Sequence, residues 1–201
     1  KKTIKLSLIL LLLISVFLPA FAEDNNIRVG SKKFPESQLL AEIMSILISE
    51  KTSINVERKF GLGSTAICFE ALKTKQIDLY PEYTGTGLTA ILKESIESIP
   101  FKQVYEKVSK DFEKNYNILW LKPFGFNNTY ALAVSKKLGI KNISDLANYK
   151  DIKVAFSHEF LNRKDGYLGL SKHYNFTLND IRGMEHGLVY KSIASGDIDL
   201  T

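Results

Sequence analysis

The chain partly repeats itself, and that repeat restricts it to a small set of folds. Ile27-Arg28-Val29-Gly30-Ser31 and Ile152-Lys153-Val154-Ala155-Phe156-Ser157 are both short β-branched segments that run into a polar loop and then a helix. Later in each half a helix gives way to a strand, through Leu72-Lys73-Thr74-Lys75-Gln76-Ile77-Asp78-Leu79 and through Ile193-Ala194-Ser195-Gly196-Asp197-Ile198-Asp199-Leu200. An order of strand, helix, strand, helix, strand calls for crossover connections, so each half is expected to be an α/β lobe built on a mostly parallel sheet. A length of 201 residues accommodates two such lobes, with expected bounds of 23–125 for lobe I and 126–201 for lobe II.

Local signals fill in the elements. Pro35 suits a first helical turn, and Leu39, Leu40, Ile43, Met44 and Leu47 recur at helical spacing up to Glu50. Ile54–Lys59 alternates as a strand, Gly61-Leu62-Gly63 reads as a turn, and Ser64 or Thr65 caps a helix reaching Lys75. Ile77–Tyr80 reads as a strand and Leu88–Lys93 as a short helix, whereas Phe101, Val104, Tyr105, Val108 and Phe112 mark the clearest amphipathic helix. Ile118–Leu121 and Thr129–Val134 read as strands on either side of a connection, Pro123-Phe124-Gly125-Phe126-Asn127-Asn128. Helices are expected from Ser144, over Asp165–Tyr174 and ending at Tyr190–Ser195, with strands at Ile152–Phe156 and Ile198–Thr201.

The first residues form a secretory leader. Lys1, Lys2 and Lys5 precede an apolar run from Leu6 to Phe17, and Ala20-Phe21-Ala22 supplies the small-x-small pattern of a signal-peptidase site. Cleavage is expected after Ala22, giving an extracytoplasmic (periplasmic) protein. An uncleaved membrane anchor is the weaker reading, because the run is short against the ~20 residues a spanning helix needs. Three of the 27 Lys and Arg lie in this leader, which leaves 24 against 22 Asp and Glu, a net +2. So small an excess, with no basic run carrying interleaved aromatics, gives no footprint for nucleic acid.

Catalytic and metal chemistry find little support. Cys68 is the lone cysteine; it can form no internal disulfide, and its neighbours Ala66, Ile67 and Phe69 read as a buried helical context. His158, His173 and His186 are scattered without metal-ligand spacing. Gly61-Leu62-Gly63-Ser64-Thr65 lacks the Lys of a P-loop and the glycine spacing of a dinucleotide site. Glu70, Glu82 and Glu159 could be imagined as a hydrolytic carboxylate pair, but nothing in the sequence places two of them at working distance. No enzymatic activity, metal or cofactor is expected.

Recognition chemistry remains. Asp78-Leu79-Tyr80-Pro81-Glu82-Tyr83-Thr84-Gly85-Thr86-Gly87 packs aromatic rings, carboxylates and hydroxyls into a segment too rich in Gly and Pro for an element interior. A quaternary ammonium has no N–H to donate, so a protein selects it with aromatic faces, whose quadrupoles attract diffuse positive charge. A carboxylate on the same ligand wants Lys, Arg or Thr donors at its other end. Loops holding Tyr80, Tyr83, Thr86, Tyr130, Lys32 and Arg163 contain both ingredients. The competing reading of each tyrosine alone is a packed surface residue.

Several motifs in one order resemble a known family. Val29-Gly30-Ser31-Lys32-Lys33-Phe34, Gly61-Leu62-Gly63-Ser64-Thr65, Ile77-Asp78-Leu79-Tyr80-Pro81-Glu82-Tyr83-Thr84-Gly85-Thr86 and Ser157-His158-Glu159-Phe160-Leu161-Asn162-Arg163 are similar to those of substrate-binding proteins of osmoprotectant ABC transporters. Phe126-Asn127-Asn128-Thr129-Tyr130-Ala131-Leu132 and Glu185-His186-Gly187-Leu188-Val189-Tyr190 extend the match. The resemblance implies a type II periplasmic-binding-protein fold, with two α/β lobes closing about a hinge over glycine betaine, choline, carnitine or a related quaternary amine. An ABC permease with its ATPase is then the partner, and the membrane is met only through that permease.

Carried over by position, the resemblance makes Tyr83 and Tyr130 cage aromatics and assigns the ligand carboxylate to Lys32, Thr86 and Arg163. Asn128 falls where some relatives place an acidic residue near the cation, so ligand class stays open between an osmoprotectant and another small amine or amino acid. A sensor or remnant of the same fold without transport is the further alternative. Lys33 replaces a small polar residue or Pro and is expected to be a solvated bystander; Ser37 replaces a Gln of some members. The chain stops at Thr201 in a fresh strand. It is therefore expected to be truncated, with lobe II incomplete and the return to lobe I missing. Relatives carry further cage tyrosines beyond that point, so this stretch alone is expected to hold half a cage.

Overall fold

The computed structural model describes residues 25–95 and 99–201, and the expected leader, 1–22, lies outside the described residues. In the first half, β1 (Asn26–Lys32) and β2 (Asn55–Gly63) pair in parallel, and Leu79 bridges Val29 on the opposite edge of β1. The crossover between them is α1 (Pro35–Lys51), with Pro35 in its first turn as expected. Its packing face differs from the apolar periodicity. Ser37, Leu40, Ala41 and Ser45 are buried, whereas Leu39 and Leu47 are 61% and 52% exposed. Small side chains four residues apart let the helix lie close to the strands, and the larger ones turn outward.

The expected turn at Gly61-Leu62-Gly63 is instead the bulged end of β2. Gly30 pairs with Lys59 but Lys32 with Gly63, so β2 carries extra residues opposite Ser31. Gly61 takes φ +72°, a left-handed conformation that costs glycine little, and its N–H donates to the Ser31 Oγ at 2.8 Å. The helix α2 (Thr65–Lys73) follows, with Ser64 at its N-cap position but making no side-chain cap. Cys68 and Phe69 are buried on it, as the sequence suggested. The expected strand at Ile77–Tyr80 shrinks to the Leu79 bridge. It is fastened by Arg28, whose Nε and Nη2 donate to Asp78 at 2.9 and 2.8 Å.

The short helix expected at Leu88–Lys93 begins earlier, as α3 (Thr84–Thr86) running into a π turn at Gly87–Ile91. Gly87 permits a close approach there: a Cβ would lie 2.8 Å from the Trp120 ring and 3.0 Å from Val108. The amphipathic helix is α4 (Val104–Tyr116), preceded by a 3-10 turn at Phe101–Gln103 that leaves Phe101 in solvent. Val104, Val108 and Phe112 join Phe69 and Leu88 in one core, with Phe112 edge-on to Phe69, Tyr116 and Trp120 at 5.8, 5.4 and 5.3 Å.

Beyond α4 the chain crosses to the second half. Ile118–Leu121 alternates like a strand, with Trp120 inward and Leu119 and Leu121 69% and 71% exposed, but no described strand pairs with it. Thr129–Val134 likewise contributes a single antiparallel bridge, Val134 to Leu200. The second sheet pairs β3 (Lys153–Ser157) with β4 (Asp180–Met184) in parallel, and Leu200 bridges Val154 on the other edge of β3. Helices α5 (His158–Asn162), α6 (Tyr167–Tyr174) and α7 (His186–Ser195) complete it. The 3-10 turn at Ile143–Asn148 takes the place of the helix expected from Ser144.

The two halves thus reproduce one plan, a parallel pair with a third segment bridging the first strand. Each has its own apolar core, and that of the second gathers Leu146, Val154, Phe156, Phe160, Phe176 and Leu200. Phe112 sits at the centre of the first. Phe112→Ala is expected to destabilise the protein by about 3–5 kcal/mol, read as a lowered urea midpoint without a change in slope.

Candidate functional site

The carboxyl ends of β1 and β3 face one cleft of about 2020 Å³ between the halves. Open α/β sheets place ligands outside the carboxyl ends of their strands, because loops there converge with helix N-termini. Lys32 ends β1, Ser157 ends β3, and both line the cleft together with the 80–86 loop and the start of α7.

Lys32 is held at the base. Its ammonium donates to Glu82 Oε1 at 2.6 Å and to Thr65 Oγ1 at 3.1 Å, and the two charged side chains are only 3% and 5% exposed. The β2 bulge and Ser37, whose hydroxyl accepts the Lys32 backbone N–H at 2.9 Å, fix the direction of this side chain. The same ammonium lies 4.9 Å from the Tyr83 ring centroid and 5.5 Å from that of Phe34. Glu82 Oε1 also accepts the Tyr83 N–H at 2.8 Å, while Oε2 is buried with no hydrogen-bond partner among the described residues. Burial and the Glu82 carboxylate raise the neighbouring Tyr80 phenol far above its usual range. Burial likewise pushes the Cys68 thiol up to about 11, against the opposing pull of Lys32.

One end of the cleft is aromatic. Tyr83 stacks on Phe34 at 6.3 Å and 23°, Phe34 meets His186 edge-on at 5.6 Å, and His186 meets Tyr190 at 5.4 Å. Phe34 and Tyr83 belong to the first half, His186 and Tyr190 to the second, so the rings span the cleft. The Tyr83 hydroxyl donates to Glu36; burial first, then this carboxylate, raises its phenol well above the ordinary value. Lys33 is solvated as expected, and its half-exposed ammonium pairs with Glu185 at 2.7 Å across the same opening.

The other end is built on Arg163, 9% exposed. Its Nη1 donates to Thr86 Oγ1 at 3.1 Å and its Nη2 to Thr89 Oγ1 at 2.8 Å, both in the opposite half. Nε and Nη2 grip Asp165 at 2.9 and 2.7 Å, and Nη1 approaches Glu159 Oε1 at 3.4 Å. Burial is the largest single influence on Arg163 and opposes its charge, but the Asp165 bonds together with the neighbouring negative charges hold the guanidinium above its usual range. The same bonds hold Asp165 below its own, against burial. The Thr65 hydroxyl closes a continuous polar chain by donating to Glu159 at 3.5 Å.

Lys32, Thr86 and Arg163 therefore gather with Thr65, Thr89 and Glu159, and Tyr83 stands on the same loop as Thr86. Tyr130 lies against the Arg163 end, 5.9 Å from the guanidinium and 4.9 Å from Phe160, apart from the Tyr83 rings. Asn128 lines the cleft from the exposed connection. Sequence reasoning did not single out Phe34, His186 and Tyr190 for the site. The i, i+4 spacing of His186 and Tyr190 at a helix start was the available signal. No group of His, Cys, Asp and Glu able to hold a metal occurs among the described residues. The Lys32–Glu82 pair generates a prediction. Lys32→Met strands a buried carboxylate and is expected to cost about 3–5 kcal/mol. Adding Glu82→Gln should recover most of that loss in denaturant titrations of the double variant.

Comparison with known proteins fits this geometry. Residues 25–201 match the family described as "Substrate binding domain of ABC-type glycine betaine transport system". An ergothioneine transport permease/ergothioneine binding protein of Helicobacter pylori is 38% identical over 88% of this chain and 32% of its own length. A glycine-betaine-binding protein of Pseudomonas aeruginosa is 34% identical over 89% of this chain and 61% of its own. The chain thus spans less than two thirds of either relative. The crystal structure of a glycine betaine/carnitine/choline ABC transporter protein superposes with a TM-score of 0.61 at 29% identity, covering 88% of this chain and 67% of that one. A mixed α/β architecture with a parallel sheet in each half, a cleft at the strand ends and a match over nearly every described residue lead to one assignment: the chain belongs to the family of substrate-binding domains of ABC-type glycine betaine transport systems.

Proposed function

We propose that this protein is the extracytoplasmic solute-binding component of an ABC importer and that its ligand is a quaternary ammonium compound of the osmoprotectant class. The observation that carries the reading is the polarity of the cleft. Aromatic rings from both halves, Phe34, Tyr83, His186 and Tyr190, gather at one end. Arg163 and the Thr86 hydroxyl meet at the other. Methylated nitrogen gains apolar contact and quadrupole attraction among the rings, and fixed donors suit a carboxylate. Tyr83, with the rings around it, is the proposed neighbour of the cation, and Lys32, Thr86 and Arg163 are the proposed donors; Tyr130, which lies against Arg163 and not the Tyr83 rings, and Asn128 are proposed to line the rest of the ligand. Lys32 acts from the base through its pair with Glu82. The partners are a permease and its ATPase, and the Lys-rich leader, cleaved after Ala22, delivers the protein to them; lobes of 23–125 and 126–201 close about the intervening connection.

Ergothioneine is the second reading, favoured by the 38%-identical relative named for it. That compound is itself a betaine, with a trimethylammonium and a carboxylate, and its thio-imidazole ring would add a flat face for stacking. A thermal-shift panel of glycine betaine, choline, carnitine and ergothioneine on the full gene product separates the two, since at equal concentration the tighter ligand raises the midpoint further. A panel without any shift refutes both. Tyr83→Ala is expected to weaken a betaine ligand by at least ~1 kcal/mol in isothermal titration. Arg163→Ala should reduce glycine betaine affinity more than choline affinity, because choline has no carboxylate; equal losses would leave Arg163 a purely structural role.

A further inference from the structure

We infer that Glu159 sets how the cleft discriminates ligands that carry a carboxylate from those that do not, an inference that rests on the quaternary-ammonium reading. Arg163 already has a dedicated counter-ion, because Asp165 takes two of its N–H groups at 2.9 and 2.7 Å from within the same loop. Glu159 is a second carboxylate on the same guanidinium, so one positive charge faces two negative ones. Its contacts are long, 3.4 Å from Arg163 Nη1 and 3.5 Å from the Thr65 hydroxyl, and a third of its side chain is exposed. It is therefore held loosely, with room to move toward water.

The nitrogen that reaches Glu159 is also the one that donates to Thr86 Oγ1 at 3.1 Å. A ligand carboxylate seeking Arg163 Nη1 and the Thr86 hydroxyl thus meets the Glu159 carboxylate at the same donor. It either pushes Glu159 away or stays beside a like charge, and both weaken binding. A cationic alcohol such as choline meets no such opposition, and the surplus negative charge attracts it. Glu159 also acts across the whole cleft, since its charge contributes to raising the phenols of Tyr80, Tyr83 and Tyr130. The acidic residue thus disfavours zwitterions relative to cations through its charge, with no hydrogen bond to the aromatic rings among the described residues.

The test is isothermal titration of the full gene product with glycine betaine and with choline, in wild type, Glu159→Gln and Glu159→Ala. Loss of the charge is expected to shift the affinity ratio toward glycine betaine by at least about tenfold, in the same direction in both variants. The alanine variant removes the amide that could bond the ligand directly, so agreement between the two assigns the shift to charge. An unchanged ratio, or a shift toward choline, overturns the role of Glu159 while the binding function stands. A wild-type protein that binds neither compound overturns the quaternary-ammonium reading and this inference together.

Discussion

One guanidinium joins the halves of this molecule. A planar group with five donors in fixed directions can address several acceptors at once, and Arg163 uses that capacity to reach Thr86 and Thr89 on one side and Asp165 on its own. The contacts run between residues more than 70 positions apart. Without them the facing surfaces of the cleft would be tied by the long Thr65–Glu159 and Thr89–Asp165 hydrogen bonds, by ring contacts and by the exposed Lys33–Glu185 pair, and exposed ion pairs contribute little. Charge compensation at Asp165 lets the guanidinium stay buried and ionised.

Below it, the Lys32–Glu82 pair imposes a second constraint. Burying two charges is unfavourable unless they meet each other with further hydrogen bonds. Here Thr65 and the Tyr83 amide provide them, which fixes the base of the cleft and the loop carrying Tyr83. The glycine-dependent bulge in β2 is what brings Lys32 and Thr65 to the same place. A backbone irregularity is thereby converted into the position of a charge.

Much of this was legible in the sequence, for identifiable reasons. Ile27–Ser31 and Ile152–Ser157 are dense in β-branched residues, and the strands they mark are both present. The amphipathic spacing of Val104, Val108 and Phe112 named the core face of α4 correctly, because burial on that helix follows simple periodicity. Periodicity misled in part on α1, where Ser37, Ala41 and Ser45 share the buried face with Leu40 while Leu39 and Leu47 turn outward. Ile118–Leu121 alternates as a strand does, but alternation speaks of two unlike faces and not of a ladder partner. Asp180–Met184 escaped notice since Arg182 and Gly183 dilute its apolar signal. At the site, residue types were readable, but pairings were not. Sequence gives no measure of whether Lys32 meets Glu82 or solvent, nor that Phe34 bridges Tyr83 to His186 across the gap.

The position of Cys68 has a consequence for its redox chemistry. With its proton affinity raised to about 11, it holds on the order of one thiolate per ten thousand molecules at neutral pH. The thiolate is the species that attacks disulfides, and the sulfur is also fully buried beside Lys32 and Glu82. An exposed lone cysteine ordinarily invites cross-linking to foreign thiols. Here the same desolvated floor that organises the cleft leaves that sulfur chemically silent.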